Sequence, residues 1–214
     1  MIRIVIADDH TIVREGLMQL LAAAGDFEVV GEARDGHEVM SLVRDLDFDV
    51  LLTDMSMPGK SGVELIKQVK SEKPRLRILV LTMHEEHQYA VRAIRAGASG
   101  YLTKDGASAQ LVSALRKVAG GGAYISSAVA EQLALNAMPG AEGPPHAALS
   151  DREFQVFQMI AEGKSVSDIA ERLNLSVKTV STHKANLMQK MNISTTGEII
   201  RYAIAHNLVE APGR

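Results

Sequence analysis

Among its 214 residues the chain has no cysteine and no tryptophan, and only four phenylalanines and four tyrosines. Without thiols there is no disulfide, no thiolate-held metal and no cysteine nucleophile. No apolar run approaches the roughly 18 residues that a membrane-crossing helix needs. The opening MIRIVIADDH reaches two aspartates by residue 9, so it does not read as an apolar leader. Hydrophobic residues make up 46% and charged residues 23%, the balance of an ordinary globular protein and not of a disordered one. These absences predict a cytoplasmic protein with no membrane partner. The length allows one large domain or two small ones.

Charge of one sign is missing in one place. Between Arg172 and Gly197 there are Arg172, Lys178, Lys184 and Lys190 and no acid at all. Residues 1–148 carry 15 Lys/Arg against 19 Asp/Glu, a net of -4, whereas residues 149–214 carry 8 against 7, a net of +1. A local basic stripe on a mildly acidic chain is a weak nucleic-acid signal, and its plainer reading is a solvated helix face.

What is present is alternation. Short β-branched runs at Ile2–Ala7, Phe27–Ala33, Val50–Thr53, Leu76–Thr82 and Ser99–Leu102 are separated by helical patterns. Those patterns fall at Ile12–Ala24, Gly36–Asp45, Gly62–Glu72, Glu86–Ala96 and Ala107–Ala119. Five β-α repeats with right-handed crossovers predict a doubly wound α/β fold, a five-stranded parallel sheet in the order 2-1-3-4-5. This first domain spans residues 1–120. Residues 121–148 hold one further helix, Ser127–Leu135, and then NAMPGAEGPPHAA, where three of the six prolines gather. That composition predicts a flexible tether with no folded element. Residues 149–214 read as a small all-α domain of four helices. Ser150 and Glu153 form a capping box, and Ser165, Ser176 and Thr195 or Thr196 are the next N-caps.

The stretch VLLTDMSMPGKSG, Val50 to Gly62, sets an acid at the open end of an apolar strand, ahead of a Pro58-Gly59 turn. Burying Asp54 there is costly unless something pairs it. In a doubly wound sheet ligands sit at the carboxyl ends of the strands. Strand 1 ends in Asp8-Asp9, strand 3 in Asp54, strand 4 in Thr82, and strand 5 runs Tyr101-Leu102-Thr103-Lys104. Three carboxylates, a hydroxyl and an ammonium therefore share one rim. Clustered acids favour a hard divalent cation with oxygen ligands, and Mg²⁺ suits best. An aspartate beside that ion and a lysine can attack phosphorus while the cations neutralise the phosphoryl oxygens. Singly, Thr82 is an ordinary strand end and Lys104 a surface lysine; their joint placement carries the argument.

This set, Asp8-Asp9, Asp54, Thr82, Tyr101 and Lys104, resembles the receiver domain of bacterial two-component response regulators. The resemblance implies that Asp54 is the phosphoacceptor, served by a cognate sensor histidine kinase. It further implies Mg²⁺ held by Asp9, Asp54 and the Ser56 carbonyl, with Asp8 acting through water. Lys104 pairs with the phosphate, Thr82 closes on it and Tyr101 swings inward. Many receivers follow the lysine with proline; here it is Asp105, so a cis-proline turn is not expected. A haloacid-dehalogenase-type phosphatase also pairs an aspartate nucleophile with Mg²⁺, but it needs a second acid two residues on, and position 56 is Ser56. No GxGxxG or P-loop follows strand 1. His84-Glu-Glu-His87 suggests a metal pair, although two imidazoles in a polar loop are usually solvated.

In the tail, KSVSDIAERLNLSVKTVSTHKANLMQKMN reads as helix, tight turn, helix. On the second helix Val180, Leu187 and Met191 make one face. Lys178, Thr182, Ala185 and Gln189 lie opposite with Ser181 on the flank, a small polar face that suits a major groove. The segment is similar to the four-helix DNA-binding domain of the LuxR/FixJ class. Together the halves resemble a NarL/FixJ-type transcription regulator, a switch and not an enzyme. The resemblance implies that Val177–Met191 recognises double-stranded promoter DNA and that the last helix, Thr195–His206, makes a homodimer, with RNA polymerase a further partner. Lys178, Ser181, Thr182 and Ala185 are expected at base edges. Thr179, Lys184, Asn186 and Lys190 are expected at phosphates, Lys184 from the core side of the helix. An alternative keeps the receiver but gives the tail a protein partner; the acid-free segment favours DNA.

Overall fold

The computed structural model describes residues 1–57, 62–83, 87–104, 107–135, 144–206 and 208–209. The Pro58-Gly59 turn, His84 to Glu86, Asp105 and residues 136–143 of the tether lie outside that set. The chain divides into two compact units, Met1–Glu131 and Gln132–Arg214.

The first unit alternates β1 (Ile2–Ala7), α1 (Thr11–Ala24), β2 (Phe27–Ala33), α2 (Gly36–Asp45), β3 (Val50–Thr53), α3 (Gly62–Glu72), β4 (Arg77–Thr82), α4 (His87–Arg95), β5 (Gly100–Thr103) and α5 (Ala107–Ala119). The sheet is parallel throughout, in the order β2-β1-β3-β4-β5, as the repeat pattern predicts. β1 and β3 are buried on both faces because helices cover each side, so their sequences are continuous apolar runs. Ile4, Ile6, Leu52, Leu79 and Leu81 meet Leu111, Leu115 and Val118 of α5 in one core. Local signals set the helix ends. The Asp35 carboxylate accepts the His37 and Glu38 N–H groups at the start of α2, and Gly25 ends α1 at φ +80.

Helix α6 (Ser127–Leu135) contains the boundary between the units. The second unit then runs α7 (Asp151–Ala161), α8 (Val166–Leu173), α9 (Val177–Met191) and α10 (Thr196–Ala205). Ser150, Ser165, Ser176 and Thr195 cap them in turn, with reciprocal capping boxes to Glu153, Asp168 and Glu198. Asn174 ends α8 in the left-handed conformation, so the turn into α9 is only Asn174-Leu175-Ser176.

The tether departs from expectation at its end. Pro145–Ala148 forms a short 3-10 helix, and His146 is buried at 2% exposure. Its Nδ1 lies 2.8 Å from the Tyr202 hydroxyl of α10, and its ring stands edge-on to Tyr202 and His206. Residues read as flexible from their prolines and alanines are held by one aromatic side chain.

Candidate functional site

Strand register builds the first site. Ala7 pairs with Thr53, and the Asp54 N–H donates to the Ala7 carbonyl at 2.8 Å. Asp8 and Asp54, each one residue past its strand, therefore emerge side by side. Thr82 pairs with Thr103, which brings Lys104 onto the same rim. Its Nζ donates to Asp8 Oδ2 at 2.6 Å and to Asp54 Oδ2 at 3.2 Å. The other Asp54 oxygen accepts the Met55 N–H at 2.7 Å. Both carboxylates are buried, at 2% and 5% exposure.

Two buried acids and one ammonium leave excess negative charge. Burial pushes the Asp54 carboxyl above its usual range; Lys104 opposes this and Asp8 adds to it. At Lys104 burial works the other way, but the hydrogen bond to Asp8 and the Asp54 charge prevail and its pKa rises. A divalent cation would relieve this excess. One ligand atom each from Asp8, Asp9, His10 and Asp54 lies within 4.8 Å of the others, and the carboxylates supply the hard oxygens that Mg²⁺ takes. The residues present fit that ion.

Thr82 is fully buried at the end of β4, and Ser56 is half-buried two residues after Asp54. Tyr101 is only 8% exposed, so its ring lies inside the fold. Two residues that sequence reasoning passed over stand beside the acids. His10 follows them directly. Arg14, one turn into α1, is 3% exposed and clamps the loop. Its guanidinium donates to the Asp8 carbonyl at 2.7 Å, to Glu32 Oε2 at 3.1 Å and to Thr11 Oγ1 at 3.4 Å. The available signal was a cationic residue at a helical position otherwise given to core residues such as Leu17 and Leu21.

The second candidate site is α9. Val180, Leu187 and Met191 are its buried residues, and Lys178, Ser181, Thr182, Ala185 and Asn186 are exposed. Lys184 is half-buried and its Nζ donates to Thr196 Oγ1 at 2.9 Å, at the first turn of α10. The Thr182 hydroxyl donates to the Lys178 carbonyl at 3.0 Å. Two further residues expected at phosphates are engaged within the unit, as Lys184 is. The Thr179 hydroxyl bonds the Ser176 cap at 2.8 Å. Lys190 pairs with the buried Glu153 carboxylate at 2.7 Å. That ammonium ties α9 to the capping box of α7, 37 residues away, which no local pattern announces.

Comparison with known proteins agrees with both geometries. Residues 4–116 match the response regulator receiver domain, and residues 147–203 match the bacterial regulatory proteins of the luxR family. The response regulator UvrY of Escherichia coli K12 is 39% identical over 212 residues, covering 99% of this chain and 97% of UvrY. RcsB of Salmonella enterica serovar Typhimurium, solved on the promoter P1flhDC with the phosphomimetic BeF3-, is 32% identical with a TM-score of 0.69. That alignment covers 95% of this chain and 98% of RcsB. A structure of two RcsB dimers bound to two parallel DNAs gives a TM-score of 0.59 at 32% identity, over 94% and 96% of the two chains. An acid-and-lysine pocket at the strand ends, a helix-turn-helix unit later in the chain and likeness to UvrY along nearly the whole chain have one reading: the chain belongs to the two-component response regulators of the NarL/FixJ class, DNA-binding transcription regulators that join a receiver to a LuxR-type helix-turn-helix.

Proposed function

We propose that Asp54 is the phosphoacceptor, that a cognate sensor histidine kinase is the donor, and that the phosphorylated chain binds promoter DNA in the cytoplasm as a homodimer through α9. The observation that carries this reading is the Lys104 ammonium shared between buried Asp8 and Asp54. One Asp54 oxygen attacks the phosphorus of a phosphohistidine; the phosphorus–oxygen bond forms as the phosphorus–nitrogen bond breaks, and the donor imidazole leaves. Mg²⁺, when bound, supplies positive charge to the phosphoryl oxygens. Asp9, Asp54 and the Ser56 carbonyl would hold it, with Asp8 assisting through water. Lys104 follows the transferred group, because the phosphoryl oxygens offer stronger acceptors than the carboxylate it leaves. Thr82 donates its hydroxyl to those oxygens, and Tyr101 swings inward into the space it vacates.

On DNA, Lys178, Ser181, Thr182 and Ala185 face base edges while Thr179, Lys184 and Asn186 face phosphates. Lys190 keeps its pair with Glu153 and, still partly exposed, faces a phosphate as well. RcsB dimers bound to DNA support the stoichiometry, and RNA polymerase is a further partner once promoter DNA is held. The test is intact-mass measurement after incubation with a small acyl phosphate and Mg²⁺. A single phosphoryl adduct is expected, prevented by EDTA and missing in Asp54→Asn. An undiminished adduct in that variant would remove Asp54 from the role.

A further inference from the structure

Basic residues of the receiver gather far from the phosphoacceptor. Residues 67–77 hold five cations and one acid, Glu72, although residues 1–148 are net -4. The run closes α3 and enters β4, so its second half lies at the amino ends of the strands, opposite the rim of Asp54. There it borders a cavity of about 650 Å³ lined in part by Phe48, Leu76 and Ala119. Small-molecule sites fall in that size range and are mostly apolar with a few placed polar groups.

The loop between α3 and β4 is held in shape. Lys70 Nζ donates to the carbonyls of Pro74 at 3.0 Å and Leu76 at 2.9 Å. Lys73 Nζ donates to the Leu46 carbonyl at 2.7 Å and to Asp47 at 3.1 Å. Arg75 is therefore carried between two pinned residues. The acids around the cavity are already engaged: Asp47 by Lys73, Asp49 by the Arg3 N–H at 2.8 Å, and Glu72 by Arg44 at 3.9 Å. Arg75 and Arg77 are exposed, line the cavity and have no carboxylate partner among the described residues. Burial, and then the charge of Arg77, lower the pKa of the Lys70 ammonium, so like charges here repel one another.

We propose that this cavity is a nucleotide site, in which Arg75 and Arg77 hold the phosphate oxygens and the base lies against Phe48. Planar guanidinium forks match phosphate oxygens in pairs, and a phosphate relieves the repulsion among the cations. An aromatic ring beside them offers a stacking surface that a free phosphate would leave unused. A duplex backbone is convex and does not enter a concave cavity. The site is separate from the acid pocket and stands or falls independently of it.

The experiment titrates the ¹⁵N-labelled full chain with ADP, pyrophosphate and adenosine in EDTA, so that no Mg²⁺ draws phosphate to the acid pocket. ADP is expected to shift the amides of residues 47–49 and 73–77 to saturation, and to raise the Tm of the receiver. Pyrophosphate and adenosine should each bind at least roughly tenfold more weakly, since each makes half of the contacts. Arg75→Ala, in an exposed turn, should weaken ADP and pyrophosphate alike by roughly tenfold, and Arg75→Lys should recover only part of it. Phe48→Leu should weaken ADP by at least about fivefold and leave pyrophosphate unchanged. Urea midpoints establish that the variants are folded, and Arg75→Ala decides the matter if Phe48→Leu is not. Equal affinity for ADP and pyrophosphate, ADP binding unmoved by Arg75→Ala, or shifts confined to Asp8 and Asp54 would each overturn the site. A scrambled duplex that shifts the same amides more tightly than ADP would make the patch a nucleic-acid backbone contact and overturn it as well.

Discussion

A buried guanidinium is the residue whose removal should tell most about the pocket. Arg14 reaches from α1 to the carbonyl of Asp8 and to Glu32 at the end of β2, so it fixes the backbone from which Asp8 and Asp9 project. Glu32 is partly exposed, which limits the energy of that pair, but the Asp8 carbonyl loses its donor if Arg14 is shortened. Arg14→Ala is expected to lower receiver stability by about 2–3 kcal/mol, less than a wholly buried pair would cost. It should also weaken Mg²⁺ by roughly 10- to 100-fold, as loss of a ligand-orienting partner does. Arg14→Lys should recover most of the stability and little of the affinity, because one ammonium cannot hold three acceptors in a fixed fork. Urea melts and Mg²⁺ calorimetry on both variants separate the two effects; a lysine that restores both in full would show that Arg14 only packs. The acids Asp8, Asp9 and Asp54 were legible in the sequence because each stands at the end of an apolar run. Arg14 was not, since its two nearest acceptors belong to a loop and to the edge strand β2, and nothing in its spacing names them.

Elements were the most legible level, and the reason is local chemistry. The bounds of β1, β2, β3, α2, α3, α5, α6 and α9 read from the sequence are those observed, because apolar period, caps and turn residues sit within a few positions of each end. The polar face of α9 against Val180, Leu187 and Met191 followed from the same period. What escaped depends on distant partners: His146 on Tyr202, and Lys190 on Glu153. The second of these has a pH signature. Although burial pushes the Glu153 carboxyl up, Lys190 and the Ser150 groups pull it down further, and it titrates below its reference value of 4.5. A depressed carboxylate stabilises the fold fully above the unfolded value, and that contribution is lost as pH falls through the folded one. Wild type should therefore exceed Glu153→Gln in the urea midpoint of the α7–α10 unit at neutral pH, by roughly 1 kcal/mol in stability. The gap should close as pH drops below 4.5. NMR amide intensities in α7 across urea series at several pH values measure it, and a constant gap would reject the pairing. The turn offers a second check. Asn174 sits at φ 52, so Asn174→Ala should cost about 1 kcal/mol while Asn174→Gly stays near neutral.

At the scale of the whole molecule, charge is divided by task. Residues 1–148 are net -4 around an acid pocket, and the net positive remainder, +1, contains the acid-free span that includes α9. In the proposed dimer every contact occurs twice, so each substitution should be felt twice on an operator. The hydrogen bonds of α9 refine what its two kinds of residue should do. Thr182 gives its hydroxyl proton to the Lys178 carbonyl, which leaves the oxygen as an acceptor and the methyl free. In a major groove that oxygen can take an amino group of adenine or cytosine, while the methyl meets thymine. Lys184 is braced by Thr196 beside the helix and carries a charge with no sequence to read. Thr182→Val keeps the methyl and deletes the acceptor, so it should cost about 1–3 kcal/mol on the cognate duplex and little on a scrambled one. Lys184→Ala should weaken both duplexes alike and lower the salt slope of binding by about 1 per protomer, hence about 2 for the dimer. Titrations of both duplexes at several salt concentrations, with the chain phosphorylated, distinguish them. Equal losses on both duplexes for Thr182→Val would move base reading off this face, and an unchanged salt slope in Lys184→Ala would take its ammonium off the phosphates.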